Sequence, residues 1–171
     1  MDIVIQLIGG LGVLASVISF QRKKHNSILL FRTLNEAFFA LQYFLLGAYT
    51  GMVMNIIGCA RNVIFTKQVE KGQKTVTTAT VFCGLFFLLG VVAWQGPKSI
   101  LIIIAKILST IAYGNKNTTV VRTIIFVTST SWLIYNYMVL SIAGVICEAF
   151  TLISLIVGVI RLDIIPRLNK Q

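Results

Sequence analysis

The stretch "AGVICEAFTLISLIVG", residues 143–158, is apolar almost throughout and carries one charged side chain, Glu148. A carboxylate at a bilayer centre costs about 2.5–3.5 kcal/mol on insertion scales. The stretch therefore raises two questions together: what kind of fold surrounds it, and what a buried acid does there. The rest of the chain answers the first. Hydrophobic residues make up 57% of it and charged residues only 12%, with a mean hydropathy of +0.89. A soluble domain has about 45–50% apolar and about 25% charged residues. Seven apolar stretches follow one another: Ile3–Phe20, 27–48, 51–67, 76–95, 99–114, 117–139 and 141–162. Most approach the length that a helix needs to cross a ~30 Å hydrocarbon core. Little is left between them, which excludes a soluble domain. The expected fold is all-α, a polytopic membrane protein with seven transmembrane helices.

The net charge of +10 does not point to nucleic acid, because its placement follows the spans. If the chain alternates sides, Arg22, Lys23, Lys24, Lys67, Lys71, Lys74, Lys116, Arg161, Arg167 and Lys170 share one side, and Lys98 stands on the other. Basic residues accumulate on the cytoplasmic side, so the N terminus is expected outside and the C terminus in the cytoplasm. "MDIVIQ" has no basic residues ahead of its apolar run, and "QRKK" follows that run. This is the reverse of a cleavable signal, so Ile3–Phe20 reads as a retained span. Cys59, Cys83 and Cys147 all fall inside spans with no metal-ligand spacing, which makes them small buried residues.

An offset of 93 residues lays the first three stretches over the last three without a gap: Ser16 over Ser109, Ile18 over Ile111, Lys23 over Lys116, Gly51 over Gly144. Small residues repeat with it. Gly9, Gly12, Ser16 and Ser19 fall where Ile102, Ala105, Ser109 and Ala112 fall later. Such stripes let helices approach closely in a membrane. Gly51, Asn55, Gly58 and Asn62 lie on one helix face, and the offset turns them into Gly144, Glu148, Thr151 and Leu155. Glu148 is thus the counterpart of Asn55, on the small, polar face of its helix. The expected organisation is a three-helix repeat over 1–67, a linking helix over 68–98, a second repeat over 99–162 and a tail over 163–171. An odd linker makes the repeats parallel, and sites in such folds lie near the midplane between them.

"SFQRKK", "FALQYFLLGAYTGMVMNIIG", "RNVIF" and "WLIYNYMVLSIAGVICEAFTLISLIVGVIR" resemble the YgjV-type family of bacterial inner-membrane proteins over nearly the whole chain. That resemblance implies an inner-membrane location and no particular activity. The 3+1+3 plan is similar to that of SWEET and PQ-loop transporters. Asn55 matches the place of a substrate-binding asparagine on the third span of a SWEET repeat, and Glu148 departs from it in the second. No Pro-Gln pair occurs, and Pro97 and Pro166 lie outside the spans.

At 1.5 Å per residue, Glu148, Lys106 and Glu36 lie at depths of roughly 10–14 Å, near the middle of a ~30 Å core. Two readings follow. The charges either pair statically, Arg32 with Glu36 and Lys106 with Glu148, or form a polar site in which Glu148 balances a solute's charge or carries a proton. Arg61 is expected to snorkel to the interface. Tyr43, Trp94, Tyr135 and Tyr137 are expected in the outer aromatic belt. Gln42 and Asn136 either line an outer vestibule or bridge helices, and Trp132, below the belt, packs against a solute or a helix. His25 reads as a solvated loop residue.

No catalytic motif is present, and "GGLG" opens no strand-helix unit, so no enzyme activity is expected. The expected function is small-solute transport at Asn55, Glu148, Lys106, Glu36 and Trp132, with no cofactor and no metal. The expected partners are the bilayer and a small polar or charged metabolite. The alternative is a structural, regulatory or lipid-handling membrane protein with static charge pairs.

Overall fold

The computed structural model describes residues 3–20, 25–113 and 118–160. His25 and Lys116, on which expectations rested, lie outside the described side chains. The described residues contain seven helices and no strand: α1 (Ile3–Phe20), α2 (His25–Leu45), α3 (Tyr49–Glu70), α4 (Val76–Val92), α5 (Lys98–Tyr113), α6 (Thr118–Met138) and α7 (Ile142–Val159). The expected seven helices are present. Among the described residues, no helix is long and apolar enough to cross a membrane. α4 and α5 have 17 and 16 residues. The longer α2 and α3 interrupt their apolar residues with Arg32, Asn35, Glu36, Asn55, Arg61 and Asn62.

Those interruptions point inward. Gln42, Thr50, Asn55, Arg61, Asn62, Lys106, Asn136 and Ser141 are all buried, whereas Leu7, Leu14, Phe87, Leu88, Phe150 and Ile153 are exposed. Buried polar groups under a large apolar exterior invert the usual arrangement of a water-soluble domain.

The helices pack in two series. α1 lies on α2 and α2 on α3; α5 lies on α6 and α6 on α7. The series meet where α1 touches α7 and α3 touches α5, with α4 against both α3 and α5. The turns that end α2 and α6 are built alike. Gly47 and Leu140 both adopt positive φ, 68° and 59°. Ala48 N–H donates to the Tyr43 carbonyl (2.8 Å), as Ser141 N–H does to that of Asn136 (2.9 Å). This bond over a left-handed residue caps the last carbonyls of a helix.

The core beneath these turns is aromatic. Tyr43 stacks on Trp132 with ring centroids 6.0 Å apart, and Tyr135 stands edge-on to both at 5.8 and 5.7 Å. The expectation of a surface belt is corrected here: Tyr43 and Tyr135 are 2% and 0% exposed. Both hydroxyls have partners inside the bundle, which permits their burial. Trp94 and Tyr137 are exposed as expected.

Candidate functional site

One turn of α3 explains how a charge cluster fits inside the bundle. Gly58 has no side chain, and a Cβ there would collide with the Glu36 carboxylate of α2 and lie 2.9 Å from Lys106 Nζ of α5. The bare backbone therefore lets an acid and a base from two other helices meet across it. Gly58 belongs to the small face seen in the sequence at Gly51, Asn55, Gly58 and Asn62.

Glu36 Oε1 accepts from Arg61 Nη2 at 3.1 Å and from Lys106 Nζ at 3.2 Å. Arg61 Nη1 also donates to Thr110 Oγ1 (2.9 Å), and its Nε and Nη2 reach Asn62 Oδ1. Its guanidinium lies 5.6 Å from the Phe86 ring centroid. At 1% exposure, Arg61 is a buried hub rather than an interfacial residue, which corrects the snorkelling expectation. An arginine fork with several acceptors and an aromatic face is stabilised inside the bundle, so it gains nothing by reaching outward. Among the described pairs, Glu36 takes cations from α3 and α5, so its charge is shared between helices.

Lys106 forms the bridge to the second half of the site. Its Nζ donates to Asn55 Oδ1 (3.2 Å) and sits 5.4 Å from the Trp132 ring centroid. Asn55 is held from behind, because its Nδ2 donates to the Gly51 carbonyl (3.1 Å). Lys106 thus forms a salt bridge with Glu36. Glu148, the partner expected for Lys106, lines the same cavity from α7.

All five residues singled out in the sequence, Asn55, Glu148, Lys106, Glu36 and Trp132, line one cavity of about 130 Å³. Arg32, Arg61, Ser129 and Thr151 are also part of its polar wall. Tyr43 and Asn136 close one end: Tyr43 Oη donates to Asn136 Oδ1 at 2.6 Å. Beside them Gly51 N–H donates to Tyr135 Oη (3.0 Å). Gln42 donates to Gln6 (3.1 Å) and accepts from Ser141 (2.9 Å). Gln42 and Asn136 therefore bridge helices, one of the two roles read for them.

Arg61 and Thr110 are the residues that sequence reasoning missed. Arg61 follows Gly58 by three positions and adjoins Asn62, so helical spacing already put it beside the polar face. Thr110 gave no signal, since its hydroxyl also bonds the Lys106 carbonyl on its own helix (2.7 Å). Among the described residues no group of three His, Cys, Asp or Glu side chains gathers to hold a metal. The arrangement can hold a small charged solute between fixed cations, amides and one aromatic ring.

The family model for Imp-YgjV, described as bacterial inner membrane protein, matches residues 3–164. No curated protein and no solved structure matches the chain.

Proposed function

On the premise that the chain belongs to the Imp-YgjV family of bacterial inner membrane proteins, we propose that it is a small-solute transporter and not an enzyme. The seven helices span the membrane with the N terminus outside and the C terminus in the cytoplasm. At 1.5 Å per residue, helices of 16–22 residues are roughly 24–33 Å long, comparable to the hydrocarbon core. The polar residues that deny single helices an apolar sequence face one another, and the bundle turns apolar side chains to lipid. Burial in the bundle is where intramembrane charges are tolerated.

α1–α3 and α5–α7 are the two moving units, and α4 links them. The alike turns at Gly47 and Leu140 support this division, as does the alike packing order. The Tyr43–Asn136 end is the outer one, and it must part for a solute to pass. Alternating access then exposes one central site to each side in turn.

The observation that carries the reading is that five residues chosen from the sequence line one cavity. The mixture of charges suits a zwitterionic or charged metabolite, with Glu148 facing its positive group. Thermal unfolding against a metabolite panel tests this, with wild type beside Glu148→Gln and Asn55→Ala. A solute that stabilises wild type and neither variant supports the reading, and uptake into liposomes then follows. Equal uptake by all three proteins would sink it.

A second reading has its own observation. Glu36 joins Arg61 and Lys106 with the geometry of a structural clamp. If that is its whole role, no solute will stabilise the protein, and only unfolding will respond to changes at Glu36.

A further inference from the structure

α1 and α7 are tied together at one end and enclose a cavity toward the other. At the tied end, Gln6 Nε2 donates to the Leu140 carbonyl (3.1 Å), and Gln6 Oε1 accepts from Ala143 N–H (3.3 Å). Farther along, a cavity of about 330 Å³ lies between the two helices, with Val13, Val17, Cys147, Phe150, Thr151 and Ser154 in its wall. The Thr151 hydroxyl donates to the Cys147 carbonyl of its own helix (2.9 Å), so it places no polar demand on an occupant. An apolar cavity of about 150 Å³ already admits a benzene-sized molecule, so this one has room for a run of methylenes. Val17 and Phe150 are exposed, as is their neighbour Ile153, so the cavity reaches the apolar exterior of the bundle.

Its place along the helices is that of an acyl chain in one leaflet. Val17 stands three positions before the end of α1 at Phe20, and Cys147 stands twelve before the end of α7 at Val159. At 1.5 Å per residue the cavity runs from roughly 5 to roughly 18 Å below those ends, close to half of a ~30 Å hydrocarbon core. The same end of the bundle is basic. Lys67, Lys71 and Lys74 are exposed there, beside Glu70. The sequence passes from α1 into Arg22, Lys23 and Lys24, and from α7 into Arg161. Basic residues at a membrane surface attract anionic headgroups, each by about fivefold in affinity.

We propose that the α1–α7 cavity seats one acyl chain of an anionic phospholipid whose headgroup lies at this basic end. The inference rests on the membrane-spanning reading of the bundle and is independent of any solute in the polar cavity. A chain in the cavity restores to its wall the dispersion contacts that an empty volume forfeits.

The test uses the full chain in dodecyl maltoside. Phosphatidylglycerol and phosphatidylcholine with the same acyl chains are titrated in, and bound lipid is read by native mass spectrometry beside thermal unfolding. We expect one phosphatidylglycerol retained per chain, a raised melting temperature, and binding at least about fivefold tighter than that of phosphatidylcholine. Ser154→Phe, which fills the cavity, should weaken phosphatidylglycerol by at least about tenfold. Leu88→Phe adds the same ring to the exposed face of α4 and should leave binding unchanged. If Ser154→Phe does not fold, Ser154→Leu carries the same comparison. Salt at about 0.5 M should shrink the preference for phosphatidylglycerol and leave the effect of Ser154→Phe in place. Equal binding of the two lipids overturns the anionic assignment. Phosphatidylglycerol binding indifferent to the Ser154 variants overturns the cavity as its seat. A lipid-free dimer that Ser154→Phe dissociates would give the cavity to a second copy of the chain and overturn the lipid.

Discussion

Tyr43 donates its hydroxyl to Asn136 across 2.6 Å, and the two residues stand 93 positions apart. That is the offset at which the first three apolar stretches lie over the last three. The contact ties α2 to α6. Gly51 and Gly144 are also 93 apart. A Cβ on Gly51 would press on Tyr43 and Tyr135, and one on Gly144 would press on Asn136.

Tyr43→Phe removes the donor and leaves the Asn136 carbonyl oxygen buried without it. We expect a loss of about 1–3 kcal/mol in unfolding free energy. Adding Asn136→Leu should recover part of the loss, because both polar groups are then gone. A double-mutant cycle by denaturant unfolding in detergent measures the coupling, and strictly additive losses would contradict it.

Leu140 holds a left-handed backbone at φ 59° with its side chain 65% exposed. A left-handed L-residue costs about 1–2 kcal/mol, and an exposed leucine here contributes little packing. Leu140→Gly should therefore stabilise the protein by about 0.5–1 kcal/mol after glycine's extra unfolded-state entropy. Gly47→Ala should destabilise it by about 1 kcal/mol. Shifts in melting temperature of opposite sign are the expected outcome.

Glu36→Gln removes the carboxylate between Arg61 and Lys106 and leaves two buried cations without it. Losing one partner of a buried pair costs about 3–5 kcal/mol. Combining Glu36→Gln with Lys106→Met should restore part of this, which thermal unfolding of the three variants will show. No change in stability for Glu36→Gln would mean that the cations are held by other groups.

Gly58→Ala inserts a methyl group into the Glu36 carboxylate and should cost about 1–3 kcal/mol through overpacking. Gly10→Ala is the control. Its Cβ meets nothing within 4 Å, so it should stabilise α1 by up to about 1 kcal/mol. Comparison of the two melting temperatures separates close packing from helix propensity.

Local pattern was enough to mark seven helices and to select Glu148, Lys106 and Glu36 as charges at one depth, with Asn55 as the counterpart of Glu148 and Trp132 below the aromatic ends. Hydrophobic period and residue count carry that information along a single axis. They carry none about how far each helix turns around that axis or which helix it meets. Glu36 reaches Arg61 and Lys106, 25 and 70 positions away, on two other helices. Arg61 is buried because Thr110, Asn62 and Phe86 surround it, and two of those three come from other helices. Tyr43 and Tyr135 are near the helix ends where belt aromatics occur, yet their rotation turns them into the core. The sequence by itself determined the helices and the order of polar groups along each. Tertiary packing decided the partners, because a charge buried in low dielectric takes whichever counter-charge the neighbouring backbones bring within reach.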